Sequence, residues 1–365
     1  MNIVQRRLVL AAPALLLTRP AWSQPLPLGD PAGGQQVRPG PLFGGRAPPS
    51  LDLSFMVPGT LDPRLTFTRA SVGTYFDVAG TMQTATANTP RWDYHPVTHV
   101  LKGLLAEEAR TNLLLNSTTL GTQSVAVTAQ VYTLSFYGTG TITLSGVSTA
   151  GPLTGTGAFP QRVSLTFTPT AGTLTCTVTG SVLNAQLEAG TPPTSWIATA
   201  GATATRTIEN CTMPLTGGWF NVAQSSLLAE YMVPQSPNLI AANRDACAIS
   251  DGTTANRLII RGLGASSANA FTLTYIAAAA TTVGAGSGVA ANVASKLAGS
   301  WSGTTNAGAL NGNAASSQAV GMPAGLTTLS VINNATAASN LCGWIRRVAY
   351  WPRALSNAEL QAVTT

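Results

Sequence analysis

A chain of 365 residues that is 45% hydrophobic but only 9% charged has material for two or three modest domains with ordinary cores, surfaced by hydroxyl and amide groups in place of charge. The formal charge of +6 comes from 19 basic against 13 acidic residues, with Lys102 and Lys296 the two lysines. No basic stripe interleaved with aromatic residues is present, so nucleic acid is excluded as a partner. No phosphate loop or dinucleotide fingerprint is present either: Gly262-Leu263-Gly264 precedes an Ala/Ser-rich loop and not a helix, and no cofactor is expected.

Residues 1–24 have the three parts of an export leader: Arg6-Arg7, an apolar run over 8–17, and Ala21-Trp22-Ser23 with small residues at the cleavage positions. The apolar run is too short to span a bilayer. The arginine pair leaves the twin-arginine route open. The protein is therefore expected to be exported, periplasmic or extracellular, with the virion surface as the alternative. Residues 25–50 are mostly Pro, Gly and short polar residues, which cannot bury enough surface to offset chain entropy; they read as a linker.

Between 51 and 117 the pattern becomes ordered. Leu65, Phe67 and Arg69 alternate with Thr66, Thr68 and Ala70 as in a strand, Val78-Ala79-Gly80-Thr81 supplies a reversal, and Pro90-Arg91-Trp92-Asp93-Tyr94 follows. The spacing over 104–115 predicts an amphipathic helix with Glu107, Glu108 and Arg110 on a solvated face. The succession of FTRAS, PRWDY and GLLAEEARTNLLLNS resembles the adaptor segment of tailed-phage and gene-transfer-agent head spike or tail fibre proteins. Trp92, where Phe is commoner, and His95 and His99 in the linking turn are the small departures.

Residues 118–200 change to β periodicity. Tyr132, Leu134 and Phe136 share one face, and Ile142 and Leu144 follow Gly138-Thr139-Gly140, which predicts a hairpin. Val163, Leu165 and Phe167, then Leu174, Cys176 and Val178, repeat an apolar face backed by threonines and serine, and 182–190 closes the module. The blocks YTLSFYGTGTITLSG, RVSLTFTPTAGTLT and AQLEAGTPPTSWI resemble the phage head spike fibre domain, a small β-sandwich similar to carbohydrate-binding modules.

Residues 214–365 contain further strand-type runs, GGWFN, SLLAEYMV, ANRLIIRG, AFTLTYIAA, TTLSVINN and CGWIRRVAYW, at the spacing of a sandwich or jelly roll. Residues 277–291 and 303–315 are rich in Ala, Gly, Asn and Ser and leave strand boundaries open. The chain ends in a short helix, with Ser356 as N-cap and Glu359 completing a capping box. The terminal strand and helix resemble the end of concanavalin A-like and laminin-G-like jelly rolls. The expected fold is mainly β: two antiparallel β-sandwich (jelly-roll) domains in tandem, an extended adaptor segment and a short C-terminal helix.

Catalytic chemistry is sparse. Both histidines lie in the adaptor turn, so no Ser or Cys has a base in a β domain. Glu188 stands alone in the central module, and Glu230, Asp245, Asp251 and Glu359 show no i, i+2 pairing of the kind a jelly-roll glycosidase uses. Asp251-Gly252-Thr253-Thr254 is the nearest approach to a calcium loop and reads as a polar turn, so no metal is expected. Cys176, Cys211, Cys247 and Cys342 are too widely spaced for zinc; buried thiols or up to two disulfides, with Cys247 to Cys342 the first pair to test, both remain open.

What remains is a surface suited to sugar. Trp301 and Trp344 offer rings, and Asn306, Asn311 and Asn313 offer planar amides, for a carbohydrate-binding site. The expected function is a non-catalytic adhesin or spike-fibre protein whose partners are cell-surface or capsular polysaccharide and phage or gene-transfer-agent structural subunits. Weak single sites call for a homo-oligomer. The alternatives are a structural fibre spacer or virion assembly protein and, third, a secreted glycan hydrolase.

Overall fold

The computed structural model describes residues 48–234, 242–265, 267–334 and 339–365. The leader at 1–24 and the linker up to residue 47 lie outside the described residues.

Seven short strands come first: β1 (Leu51–Ser54), β2 (Thr66–Thr68), β3 (Gly73–Phe76), β4 (Met82–Ala85), β5 (Trp92–Tyr94), β6 (Leu101–Ala106) and β7 (Arg110–Asn112). β3 and β4 pair around the expected reversal, where the Asp77 carboxylate accepts the N–H groups of Ala79 and Thr81. The helix expected over 104–115 does not form; those residues run through β6 and β7. Leu104 and Ala106 enter the main core while Leu105 packs with Met232 and Trp344 on the other side. A strand buried on both faces reads as an unbroken apolar run, which periodicity cannot separate from a helix. Antiparallel pairing of Leu104 with Ile345 and Leu105 with Trp344 decides the matter. The solvated face is absent too, since Glu107 and Arg110 are buried.

A small sandwich follows: β8 (Gln123–Val127), β9 (Tyr132–Gly138), β10 (Thr141–Gly146), β11 (Leu153–Thr154), β12 (Gly157–Phe167), β13 (Gly172–Thr179) and β14 (Leu183–Ala189). Its sheets have the orders β11-β10-β13-β8 and β12-β9-β14. Leu134, Phe136, Ile142, Leu144, Leu174 and Leu187 fill the space between them. The predicted hairpin at 138–140 is instead a crossing from one sheet to the other. Both edges of β9 are taken by β12 and β14, and the Gly140 N–H donates to the Ser181 carbonyl at 2.7 Å, so β10 has no edge of β9 to join.

The rest of the chain gives β15 (Ala204–Arg206), β16 (Asn210–Pro214), β17 (Ser225–Met232), β18 (Arg244–Ser250), β19 (Arg257–Leu263), β20 (Ala270–Ile276), β21 (Ala279–Gly286), β22 (Ser295–Trp301), β23 (Thr305–Leu310), β24 (Ser316–Ala319), β25 (Thr328–Val331), β26 (Gly343–Trp351) and α1 (Asn357–Val363). One large sheet runs β24-β23-β22-β17-β26-β6-β5 with β1 also on β26; the facing sheet runs β2-β16-β25-β18-β19-β20-β21. Leu227, Tyr231, Ile249, Ile260, Val331 and Ile345 pack between them. The described residues are thus mainly β, with two antiparallel sandwiches and one short helix.

Residues 51–117 do not stand apart from this sandwich: they give it β1, β5 and β6 on one sheet and β2 on the other. The small sandwich is inserted between β7 and β15, which pair with each other, Ala204 opposite Asn112. Helix α1 covers the outer face of the first sheet through Leu360, near Leu228, Ala309 and Trp351, and its capping box is present as the Ser356/Glu359 spacing indicates. The run GGWFN is a loop and not a strand, because Gly217 and Gly218 both have positive φ; Trp219 packs edge-on against Tyr350 at 5.0 Å. The Ala- and Gly-rich stretches contain β21 and β23, whose small residues leave room for neighbours: a Cβ on Gly308 would lie 2.8 Å from Thr272 Oγ1.

Gly103 tests the β6 assignment. It has φ +134°, and a Cβ there would sit 2.5 Å from the Ile345 carbonyl oxygen of β26. Gly103→Ala is expected to cost about 2 kcal/mol or more, read from the urea midpoint; an unchanged midpoint contradicts this pairing.

Candidate functional site

The five residues expected to hold sugar are not brought together. Trp301 is 0% exposed, packed in the core between the large sheets. Asn306 is buried there too, its Oδ1 accepting from Thr272 Oγ1 at 2.9 Å. Asn311 and Asn313 lie in the turn after β23, where Gly312 is tied to α1 through Thr364 and Gln361. Trp344 alone lines a cleft. Residue type alone, rings and planar amides, marked these positions, and type does not say which face of a strand is the inside.

The motifs of residues 67–112 have another role. Arg91 of PRWDY donates from Nε and Nη2 to the two oxygens of Glu209 at 2.9 and 2.8 Å, and from Nη2 to Glu107 at 2.7 Å. Arg69 of FTRAS donates to Glu209 at 2.7 Å, and Arg206 lies 3.2 Å from Glu107. Ser195, at the exit of the small sandwich, gives Glu107 both its N–H and its hydroxyl at 2.6 Å. All five charged side chains are buried. Burial alone would raise the Glu107 pKa, but Arg206, Arg91 and the Ser195 hydrogen bonds outweigh it and hold the carboxyl down at about 2.

Other acids are also spent on structure. Glu188 accepts from Gln186 and Thr194, Glu230 from Arg346, Asp245 from Arg261 and Asn334, and Asp251 from its own turn. Glu108 is bridged by Arg110 and Arg244. The four cysteines are buried free thiols; no bridge links Cys247 to Cys342, whose sulfur instead accepts an N–H of Arg244 at 2.9 Å. Among the described residues no group of His, Cys, Asp and Glu is placed to hold a metal ion.

Beside the buried charges lies a cleft of about 500 Å³. Its floor is the outer face of β5, β6 and β26, with Asp93, Lys102 and Trp344; its walls are the β3–β4 hairpin, with Tyr75 and Phe76, the small sandwich, with Tyr137 and Arg162, and residues 192–196. Phe159 packs between Phe76 and Tyr137, at 5.8 and 5.3 Å between ring centroids, and is 43% exposed. The Asp93 oxygens accept the Phe76 N–H at 2.8 Å and the Trp344 indole N–H at 2.9 Å. Burial pushes the Asp93 pKa up, partly countered by Lys102. His95 accepts from the N–H groups of Val97 and Thr98 through Nδ1, which leaves the ring proton on Nε2 when it is neutral.

Two carboxylates, Asp93 and Glu107, therefore line this cleft, and both already accept two or more hydrogen bonds. The cleft offers aromatic edges and faces, cations and a few N–H donors. Sequence reasoning passed over Lys102, Arg162, Tyr75, Phe76 and Phe159. The one signal at hand was that Lys102 is one of two lysines in the chain.

No protein-family model matches the chain, and comparison with curated proteins gives no match. Among solved structures it is similar to the carbohydrate-binding module CBM40 of a Ruminococcus gnavus IT-sialidase, with TM-score 0.32 and 14% identity over 40% of this chain and 84% of that one. It is also similar to the NanB sialidase of Streptococcus pneumoniae, with TM-score 0.31 and 12% identity over 39% and 24%, and to a heptameric SAP-like pentraxin of Limulus polyphemus, with TM-score 0.29 and 9% identity over 71% and 82%. At these scores and identities none of them bears on the activity of this chain.

Removing one partner of a buried ion pair leaves the others uncompensated, whereas an exposed pair is worth little. Glu209→Gln is expected to lower unfolding free energy by about 3–5 kcal/mol, and Asp52→Asn, which breaks the half-exposed Asp52–Arg347 pair, by about 1 kcal/mol or less. Denaturant curves check both; equal effects would contradict the structural role of Glu209.

Proposed function

We propose that the protein is a non-catalytic glycan-binding adhesin of the head spike or fibre type, and that saccharide binds in the cleft between the small sandwich and the outer face of β5, β6 and β26. The supporting observation is that Phe76 and Tyr137 line the cleft with Trp344, Lys102 and Arg162, while Phe159 packs on both Phe76 and Tyr137 and opens to solvent at the rim. Aromatic faces suit the C–H side of a sugar ring, and N–H donors suit its hydroxyls. Glycoside hydrolysis calls for one carboxyl group free to give a proton and another free to attack or activate water. Asp93 and Glu107 are tied into hydrogen bonds instead, which favours holding a sugar over cleaving it.

Cell-surface or capsular polysaccharide is the partner class in this reading, with phage or gene-transfer-agent subunits anchoring the protein on an exported or virion surface. One cleft of this size holds a short stretch of sugar, so useful attachment comes from a homo-oligomer presenting several clefts at once. A second reading, a fibre spacer, draws on the buried charges beside the junction of the two sandwiches, to which Ser195 at the exit of the small sandwich is hydrogen-bonded.

A tetramerised form of the full chain, applied to glycan and capsule arrays, separates the two. The adhesin retains saccharide, and Phe159→Ala weakens retention about tenfold with the melting midpoint unchanged. A spacer retains none. Retention that is indifferent to Phe159 would move the site elsewhere.

A further inference from the structure

We infer that the cleft selects saccharides bearing an anionic group, a carboxylate or sulfate, through Lys102 with Arg162 opposite. This rests on the glycan-binding reading and adds the class of sugar.

Lys102 sits where the β5–β6 ladder slips register between Asp93 and Tyr94. Its ammonium lies 3.8 Å from the centroid of the Trp344 ring and has no hydrogen-bond acceptor among the described residues. Arg162 donates to the Thr194 carbonyl and the Ser135 hydroxyl, but its Nε–H has no acceptor and no carboxylate lies within ion-pair distance. Ten other arginines of the described residues, from Arg64 to Arg353, are each in an ion pair. Apart from the attraction between Lys102 and Asp93, the two cleft cations have no carboxylate partner in a protein that pairs most of its charge.

Asp93 attracts the Lys102 ammonium without accepting a hydrogen bond from it. Asp93 directs both oxygens to Phe76 and Trp344, and Glu107 belongs to Arg91, Arg206 and Ser195. His95, the other titratable side chain of the floor, turns Nδ1 inward to its own turn and leaves Nε2. A half-buried ammonium has lost part of its hydration, and burial also lowers the Lys102 pKa. An anion on the ligand restores what was lost, and a neutral sugar does not. The indole beneath the ammonium holds the charge in place through a cation–π contact.

The test compares matched polymers on the full-length, tetramerised chain: polygalacturonate, alginate, hyaluronate and chondroitin sulfate, each against its carboxyl-reduced neutral counterpart, chondroitin sulfate being desulfated as well. At least one acidic polymer is expected to bind about tenfold or more tightly than its neutral form, with the difference shrinking as salt rises. Lys102→Met is expected to bring that ratio to about twofold or less, and Lys102→Arg to keep most of it, the melting midpoint reporting that each variant is folded. Neutral forms bound as tightly as acidic ones, or an unchanged ratio in Lys102→Met, overturns the inference and leaves the glycan reading standing. Failure to bind these polymers and every sugar on the array overturns both.

Discussion

Where the two sandwiches join, the carboxylates of Glu107 and Glu209 meet the guanidiniums of Arg69, Arg91 and Arg206 out of contact with water. Moving such groups out of water costs several kcal/mol each, and the attraction between them repays this only when nearly every donor finds an acceptor. The geometry here meets that demand. Both Glu209 oxygens are taken, Arg91 also reaches the Thr74 carbonyl and Ser195 Oγ, and the Glu107 N–H closes back on Glu209. The five charges all come from segments outside the small sandwich, which engages them through Ser195 at its exit, whose N–H and hydroxyl both go to Glu107.

That constraint builds the cleft. Ser195 belongs to the exit of the small sandwich and is hydrogen-bonded to Glu107, which follows β6 of the large one. Arg91 precedes β5, and Asp93 two residues later lies on the cleft floor. The same short stretches that lock the joint therefore aim the cleft residues.

Much of the fold was legible in the sequence, and the failures share a cause. Alternation found the strands through Leu134 and Phe136, and local chemistry found the Ser356/Glu359 cap, because both depend on neighbours in the chain. Residues 104–115 misled because Leu104 and Leu105 are buried on opposite faces, which erases the polar half of a strand pattern. Glu107 and Glu108 were read as surface because charge is ordinarily solvated, and partners of each lie about a hundred residues or more away, Arg206 and Glu209 for Glu107 and Arg244 for Glu108. The cleft was invisible for a related reason. Tyr75, Lys102, Tyr137, Arg162 and Trp344 come from distant segments, and no spacing within one segment marks them. Trp301 and Asn306 were chosen as sugar ligands by residue type alone, and the core claimed them.

Scanning calorimetry of the chain from residue 48 onward tests most directly whether the two sandwiches are one body. The account predicts a single cooperative transition whose calorimetric and van't Hoff enthalpies agree. Two separate transitions, one for the small sandwich and one for the large, would mean that the buried charges do not join them and that the cleft has no fixed wall.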